Sequence, residues 1–283
     1  MDNSIIKAAV IGDPISHSSS PKIHNFLLQK HHINGNYEAI RVEKSQLSEA
    51  LQNFIDNGFA GFNVTIPHKE EIFKLCEFKS KTAILTKAVN TVVITEDKKI
   101  FGHNSDAEGF INNLKYSQNS FDCKNKNAFI IGAGGAARAI VYALAKAQMK
   151  KIIITNRSKE RALELVKDLE QFAQENSCQL EFLEQKEFEE NLNSCDLLVN
   201  STSLGMINQP KLEIRLEKLK KEAVVYDIVY KPLMTDLLIE SQKRGNPIVT
   251  GIGMLVFQAL IGFELWFKQK PEEHFVKEVF KIL

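Results

Sequence analysis

Residues 127–138 read Asn127-Ala-Phe-Ile-Ile-Gly132-Ala133-Gly134-Gly135-Ala136-Ala137-Arg138, an apolar run, a glycine turn and the start of a second apolar segment. A glycine turn between a strand and a helix, with another strand (Lys151 to Thr155) following, is the setting in which a dinucleotide-binding fingerprint carries meaning. Gly132 is expected to permit the tight turn, Gly134 to let the backbone approach a pyrophosphate, and Ala137 to let helix and strand pack closely. The backbone from Ala133 through Gly135 and Ala136 then offers free N–H groups to the phosphates. A strand-to-helix turn with no ligand is the plainer alternative. The flanking strand, helix and next strand together favour the nucleotide.

At the end of the following strand, an NAD-binding fold presents an acid to the ribose hydroxyls, whereas this chain has Thr155-Asn156-Arg157-Ser158-Lys159. With no carboxylate there to repel a 2′-phosphate, Arg157 is expected to pair with that phosphate and stack on the adenine. Asn156 and Ser158 are expected to donate hydrogen bonds, and Arg161 or Lys159 to add charge. NADP is thereby favoured over NAD, against the alternative of a solvated basic helix start.

Outward from this unit, strands are expected near Asp196 to Asn200, Val224 to Ile228 and Pro247 to Thr250, with helices at Ala136 to Ala147 and Arg161 to Phe172. Upstream, Ile5 to Ile11, Tyr37 to Val42 and Phe59 to Ile66 read as strands. Pro21 to His32 and Gln46 to Asn57 read as helices, the second stopped by Gly58. Thr91 to Thr95 and Lys99 to His103, joined by Glu96-Asp97-Lys98, read as a hairpin. The prediction is an α/β protein: an N-terminal mixed α/β substrate domain (residues 1–105 and 252–283) and a Rossmann-type, doubly wound nucleotide domain (106–251). The connection around Asp106 to Phe121 is read as the boundary, and a crossing back is placed near Gly251.

A length of 283 residues suits two cores. Lys plus Arg number 36 against 35 Asp plus Glu, so no net basic field is available to hold nucleic acid. Cys76, Cys123, Cys178 and Cys195 are widely spaced with no C-x-x-C, and read as reduced thiols in a cytoplasm. Met1-Asp2-Asn3-Ser4 lacks the basic start of a secretory signal. Gly253 to Phe267 is apolar but carries Gln258 and Glu264 and is shorter than the roughly 20 residues of a membrane span. It reads as a buried helix. His31 and His32 are adjacent and would diverge on a helix, so no metal site is expected.

Polar segments interrupt these apolar patterns: Gly12-Asp-Pro-Ile-Ser-His-Ser18-Ser-Ser20-Pro21, Asn63-Val-Thr65-Ile-Pro67-His-Lys69, Ala88-Val-Asn90-Thr91, Asn104-Ser-Asp106-Ala-Glu-Gly109 and Gly251-Ile-Gly253-Met-Leu-Val-Phe-Gln258. With Gly132 to Arg138, Asn156-Arg157-Ser158 and Tyr226-Asp-Ile-Val-Tyr230-Lys-Pro232, they resemble in order the signature segments of the shikimate dehydrogenase family, from about Val10 to Phe267.

The resemblance implies NADPH-dependent reduction of 3-dehydroshikimate to shikimate, on the route to chorismate and the aromatic amino acids. It implies Lys69 as acid/base and Asp106 as its orienting partner, since a proton must move on or off the oxygen as a hydride moves at carbon. It also implies Ser18, Ser20, Thr65, Asn90, Tyr230 and Gln258 at the substrate, and Gly251 and Met254 near the nicotinamide. Plainer readings stand beside these. Lys69 is an exposed helix-start lysine whose loss costs little stability, Asp106 and Ser20 are helix caps, Thr65 is strand filler, Asn90 is a turn residue, and Tyr230 and Met254 are packing. The helix around Gln258 is apolar nearly all round, so its amide needs a partner, and a substrate hydroxyl fits.

Departures from the family pattern include Asp13 for Asn, His68 for Phe, Ser105 for Thr, Ala107 for Gly and Asp236 for Pro. His68 bears on the surroundings of Lys69 if it points that way. Two further assignments are a quinate/shikimate dehydrogenase, opposed by the Ser18/Ser20 pair and Arg157, and a non-catalytic NADP-binding sensor, opposed by retention of Lys69 with Asp106. A folate dehydrogenase would need a larger, more aromatic cleft. The quaternary state is read as monomer or homodimer.

Overall fold

The computed structural model describes residues 5–283; Met1–Ser4, and with them the reading of a missing signal, lie outside the described residues. Packing divides the chain into two units, one running to Gly109 and resuming at Leu255, the other Phe110–Met254. Both divisions fall inside helices, a few residues past the boundaries expected from sequence.

The first unit opens with β1 (Ile6–Gly12), α1 (Ser20–Lys30), β2 (Gly35–Arg41), α2 (Leu47–Asp56) and β3 (Phe59–Val64). Gly58 follows α2 with φ of +67°, a backbone that L side chains avoid, which is why the helix stops there. Next come α3 (Lys69–Leu75), β4 (Phe78–Lys79), α4 (Lys81–Thr86), β5 (Thr91–Ile94) and β6 (Ile100–His103). The strands form one sheet in the order β2-β1-β3-β5-β6-β4. It is parallel through β2, β1 and β3, then antiparallel from β3 to β5 and β5 to β6, so the predicted hairpin makes the sheet mixed. Phe54 on α2 stacks on Phe62 of β3 at 4.7 Å, within a core that also buries Ile11, Val64 and Ile72. Burial of this face supplies most of the stability of such a layer.

Asp106–Ser117 forms α5, so the stretch expected to be a boundary connection is a helix. The second unit contains β7 (Asn127–Ile131), α6 (Gly135–Lys146), β8 (Lys151–Thr155), α7 (Lys159–Glu175), β9 (Gln179–Phe182), α8 (Gln185–Glu190), β10 (Leu197–Asn200), β11 (Val224–Asp227), α9 (Asp236–Arg244) and β12 (Ile248–Val249). Its strands run in the order β12-β11-β10-β7-β8-β9, all parallel. The inner strands β7, β8, β10 and β11 read as nearly continuous apolar runs because both faces are covered, whereas the edge strand β9, Gln179–Phe182, alternates polar and apolar residues and was not expected from sequence. The order reverses between β7 and β10, and ligands of such sheets bind outside the carboxyl ends of the strands at that point.

The chain ends with α10 (Ile252–Phe267) and α11 (Glu273–Ile282). Trp266 of α10 donates its indole N–H to the Val92 carbonyl at 2.8 Å, tying the apolar helix to β5. All four cysteines are free and buried. Among the described residues, no helix is long and apolar enough to cross a membrane, and no group of His, Cys, Asp and Glu is placed to hold a metal.

Candidate active site

In the first unit, polar side chains gather at the carboxyl ends of β1, β3 and β6 and the amino end of β5, which runs antiparallel to its neighbours. Lys69 opens α3 and Asp106 opens α5, and Lys69 Nζ lies 2.5 Å from Asp106 Oδ2. The side chains are only 19% and 3% exposed. Lys69 is therefore not the exposed helix-start lysine of the plainer reading; its ammonium is tucked against a buried carboxylate. Asp106 is fixed from its other side by Asn90 Nδ2, 2.8 Å from Oδ1, and its backbone N–H is capped by Asn104 Oδ1 at 3.0 Å.

Asn90 is the hub of this cluster. Its Nδ2 also donates to Gln258 Oε1 at 3.1 Å, and its Oδ1 accepts from Ser105 N, Ser105 Oγ and Thr91 Oγ1 at 2.8, 3.1 and 3.0 Å. The amide expected to touch substrate thus spends its hydrogen bonds on Asp106 and Gln258. Two consequences follow from the inventory of an amide. Gln258, half-buried rather than buried, already has a partner for its oxygen, so Nε2 is the end left to donate. Asn104 and Ser105, both fully buried, are supports to which the sequence alone assigned no role, although their segment stood out in it. A run of polar residues between a strand and a helix was their signal.

Ser18, Ser20 and Thr65 lie nearby in the fold. Ser18 Oγ accepts from the Ser20 N–H at 3.3 Å. Ser20 is the first residue of α1, while Ser19 occupies the cap position, so the plain cap reading of Ser20 does not hold. Thr65 directly follows β3 and donates its N–H to the Ile11 carbonyl at 2.9 Å, which places it beside the end of β1. A Cβ added to Gly12 would come within 2.4 Å of the Thr65 methyl. His68 is buried and donates Nε2–H to the Val42 carbonyl at 2.7 Å, so its ring is anchored on the end of β2 rather than on Lys69. Asp13 pairs with Arg41 at 2.8 Å, and that guanidinium holds the Asp13 carboxyl below the usual range.

The second unit carries the residues expected from sequence to hold the nucleotide. Gly132 has φ of +117°, and a Cβ there would meet Ser201 Oγ at 2.5 Å and the Thr202 methyl at 2.9 Å. Only glycine fits. Gly134 caps α6, and a Cβ added there would meet nothing within 4 Å, so open space lies in front of the turn. Ala137 is fully buried against the sheet, and the first N–H groups of α6 lack intrahelical partners by geometry. Glycine turn, open space and free donors fit a dinucleotide pyrophosphate.

Beyond β8, Arg157 is exposed and makes no ion pair or hydrogen bond among the described residues, leaving its fork available to an anion. Its neighbours are more committed than expected. Asn156 Nδ2 donates to the Ser158 carbonyl at 2.8 Å, and Ser158 Oγ caps α7 by accepting from Arg161 N at 3.4 Å. Ser158 Oγ also donates to Glu160 Oε2 at 2.8 Å, so a carboxylate does stand at this corner, supplied by the helix rather than by the strand end. Gly251 is closed in by the Ile228 carbonyl, 2.2 Å from where a Cβ would sit, and Met254 is 6% exposed. Tyr230 is partly buried, which raises its phenol pKa.

Family models match in sequence: the shikimate dehydrogenase substrate binding domain over residues 10–92, shikimate / quinate 5-dehydrogenase over 115–232, and the shikimate 5'-dehydrogenase C-terminal domain over 251–279. The chain is 44% identical over 265 residues to the shikimate dehydrogenase (NADP(+)) of Paramagnetospirillum magneticum, covering 94% of each chain. It resembles the crystal structure of Thermus thermophilus shikimate 5-dehydrogenase in complex with NADP(H) and shikimate, with TM-score 0.84, 31% identity and 98% and 99% of the two chains covered. It also resembles quinate dehydrogenase from Corynebacterium glutamicum in complex with NAD, with TM-score 0.89, 27% identity and 99% of both chains covered. On these matches, and with the Lys69–Asp106 pair and the glycine turn in place, the chain belongs to the shikimate dehydrogenase family.

Proposed function

We infer that this protein interconverts 3-dehydroshikimate and shikimate, with NADP(H) as redox partner, in the biosynthesis of chorismate and the aromatic amino acids. The Lys69–Asp106 pair, held by Asn90 with Gln258 beside it, is the observation that carries the reading. NADPH, when bound, supplies the hydride. Lys69 gives a proton to the ketone oxygen during reduction and takes it back in the reverse direction. Asp106 keeps the ammonium aimed and balances its charge, and Asn90 fixes the carboxylate so that little reorganisation accompanies the proton's movement.

Substrate recognition calls for several neutral donors and acceptors, because shikimate carries one carboxylate and three hydroxyls. Ser18 and Ser20 take the carboxylate in this reading, Thr65 a hydroxyl, and Gln258 donates from Nε2 to another. Tyr230 is a further substrate contact in this reading. Gly132 through Ala136 hold the pyrophosphate, Arg157 with Asn156, Ser158 and Arg161 the 2′-phosphate, and Gly251 and Met254 back the nicotinamide. The near balance of 36 basic and 35 acidic residues supports small-molecule partners over nucleic acid. Four unpaired buried thiols support a reducing, cytoplasmic setting. The protein works as a monomer or homodimer.

Initial rates with shikimate or quinate, each with NADP⁺ or NAD⁺, test this. Shikimate with NADP⁺ should dominate. Glu160 at the ribose corner is the one observation that favours a second reading, an NAD-using quinate/shikimate dehydrogenase. Equal or better rates with quinate and NAD⁺ would establish that reading instead, and no turnover in any pairing would leave a silent NADP-binding sensor.

A further inference from the structure

Asp227 ends β11 and is 1% exposed, yet none of its hydrogen-bond partners is a cation. Its carboxylate accepts from three neutral donors. Oδ1 takes Asn200 Nδ2 and Val229 N, each at 3.0 Å, and Oδ2 takes Thr235 Oγ1 at 2.7 Å. A carboxylate removed from water demands such donors, and each constrains its own segment. Asn200 lies opposite Asp227 in the parallel register and ends β10. Thr235 is the N-cap of α9, accepting from Leu238 N at 3.4 Å. One buried group therefore joins two strand ends and a helix start.

The acceptor at Asp227 also decides which way the Asn200 amide faces. With Nδ2 turned to the carboxylate, Oδ1 is left to accept from Thr202 N at 3.1 Å and Thr202 Oγ1 at 2.7 Å, while Nδ2 donates again to the Leu204 carbonyl at 3.1 Å. The loop 201–204 is thus wound on this one amide. From that loop, Ser201 Oγ donates to the Ile131 carbonyl at 2.7 Å, and Ser201 and Thr202 close over Gly132. On its other side, Asp227 holds Val229 and Thr235, the two ends of the loop that carries Tyr230.

We propose that Asp227 is the positioning residue of the cofactor site, acting through Asn200 and loop 201–204 to set the glycine turn and through Val229 and Thr235 to set the loop that carries Tyr230. The inference rests on the NADP-dependent reading above. It contributes no atom to the reaction. Asn in place of Asp keeps one acceptor oxygen where three donors converge. Either Asn200 and Val229 then face an NH2 group that cannot accept from them, or Thr235 must reverse its hydroxyl to accept from that group and gives up its charge-assisted bond.

Fluorescence titration of NADPH, with the folded fraction of each protein taken from its own denaturation curve, separates a positioning role from a merely structural one. In Asp227→Asn, the NADPH Kd of the folded protein should rise about tenfold, the size expected for one lost hydrogen bond to a charged group. Thr235→Val should raise it in the same direction, and Thr235→Ser, which keeps the hydroxyl, should restore it to within about twofold. Should Asp227→Asn fail to fold, the Thr235 pair decides alone. Kd values within about twofold of wild type in folded Asp227→Asn, or in Thr235→Val, would overturn the inference. A wild-type protein that takes no NADPH would overturn the cofactor reading and this inference with it.

Discussion

Replacing Lys69 by alanine separates the chemistry of the pair from its contribution to the fold. The ammonium lies 2.5 Å from a carboxylate that is 3% exposed, so its loss leaves Asp106 with Asn90 as its side-chain donor. Breaking a fully buried pair on one side costs about 3 to 5 kcal/mol. Lys69 is 19% exposed, so water enters the vacated space, and the retained Asn90 bond reduces the loss further. The expected destabilisation is about 1 to 3 kcal/mol, the penalty for an under-satisfied buried acceptor. That exceeds the roughly 0.5 kcal/mol of an ordinary surface change, which the sequence alone suggested. A protein with a typical reserve of about 5 to 15 kcal/mol stays folded after such a loss, so rates per folded enzyme remain meaningful. Those rates should fall about 10² to 10⁴-fold in kcat if Lys69 moves the proton, equivalent to about 3 to 5 kcal/mol of barrier. Initial rates of NADP⁺ reduction with shikimate, alongside urea denaturation, measure both effects. Asp106→Asn should also lower kcat, and the double variant should lose less than the product of the single losses because the two act as a unit. A Lys69→Ala enzyme that is destabilised as described but keeps kcat within a few-fold of wild type would make the pair purely structural and refute the assignment.

The other substitutions probe separate parts. Arg157→Ala should cut the preference for NADP⁺ over NAD⁺ by about 10- to 150-fold, almost wholly in the NADP⁺ term, as one charge-assisted contact is lost; unchanged preference in steady-state kinetics would move the phosphate elsewhere. Gly132→Ala should abolish detectable NADPH binding, since its Cβ meets Ser201 Oγ at 2.5 Å on a backbone with φ of +117°; a normal titration would contradict the geometry. His24 is fully buried, neither ring nitrogen has a hydrogen-bond partner among the described residues, and burial, opposed by nearby Asn63, holds its pKa down to about 3. The unfolded chain binds this proton below about 6.5 while the folded one does not, so stability is lost as pH falls from there toward 3, by at most about 1.4 kcal/mol per unit. His24→Phe, which retains the stacking on Tyr37 seen at 4.0 Å, should flatten that part of the denaturation profile, and an unaltered slope would reject it.

How much of this was readable in the sequence depends on what each residue's neighbours are. Five of the six strands of the second unit's sheet were visible because they appear as apolar runs such as Phe129-Ile130-Ile131 and Ile152-Ile153-Ile154, whereas β9, with polar Gln179 and Glu181 at the sheet edge, was not. β4, α4 and α8 were not visible either, because a two-residue strand and helices of six residues are too short to show a period. α5 was taken for a boundary connection because its polar Asn112, Asn113 and Lys115 dilute the apolar stripe. In the site, identities were readable but commitments were not. Asn90 and Ser158 are hydrogen-bonding residues in any reading, yet which atoms they spend on the protein depends on partners far along the chain, Gln258 for the one, and close by, Glu160, for the other. The same holds for Asp227, an acid lost inside an apolar strand pattern until the fold brings Asn200 and Thr235 to it. A motif therefore names the groups that meet a ligand more readily than the buried polar groups that aim them. The latter are specified by satisfaction of every buried donor and acceptor, a condition on the whole packed unit rather than on any stretch of chain.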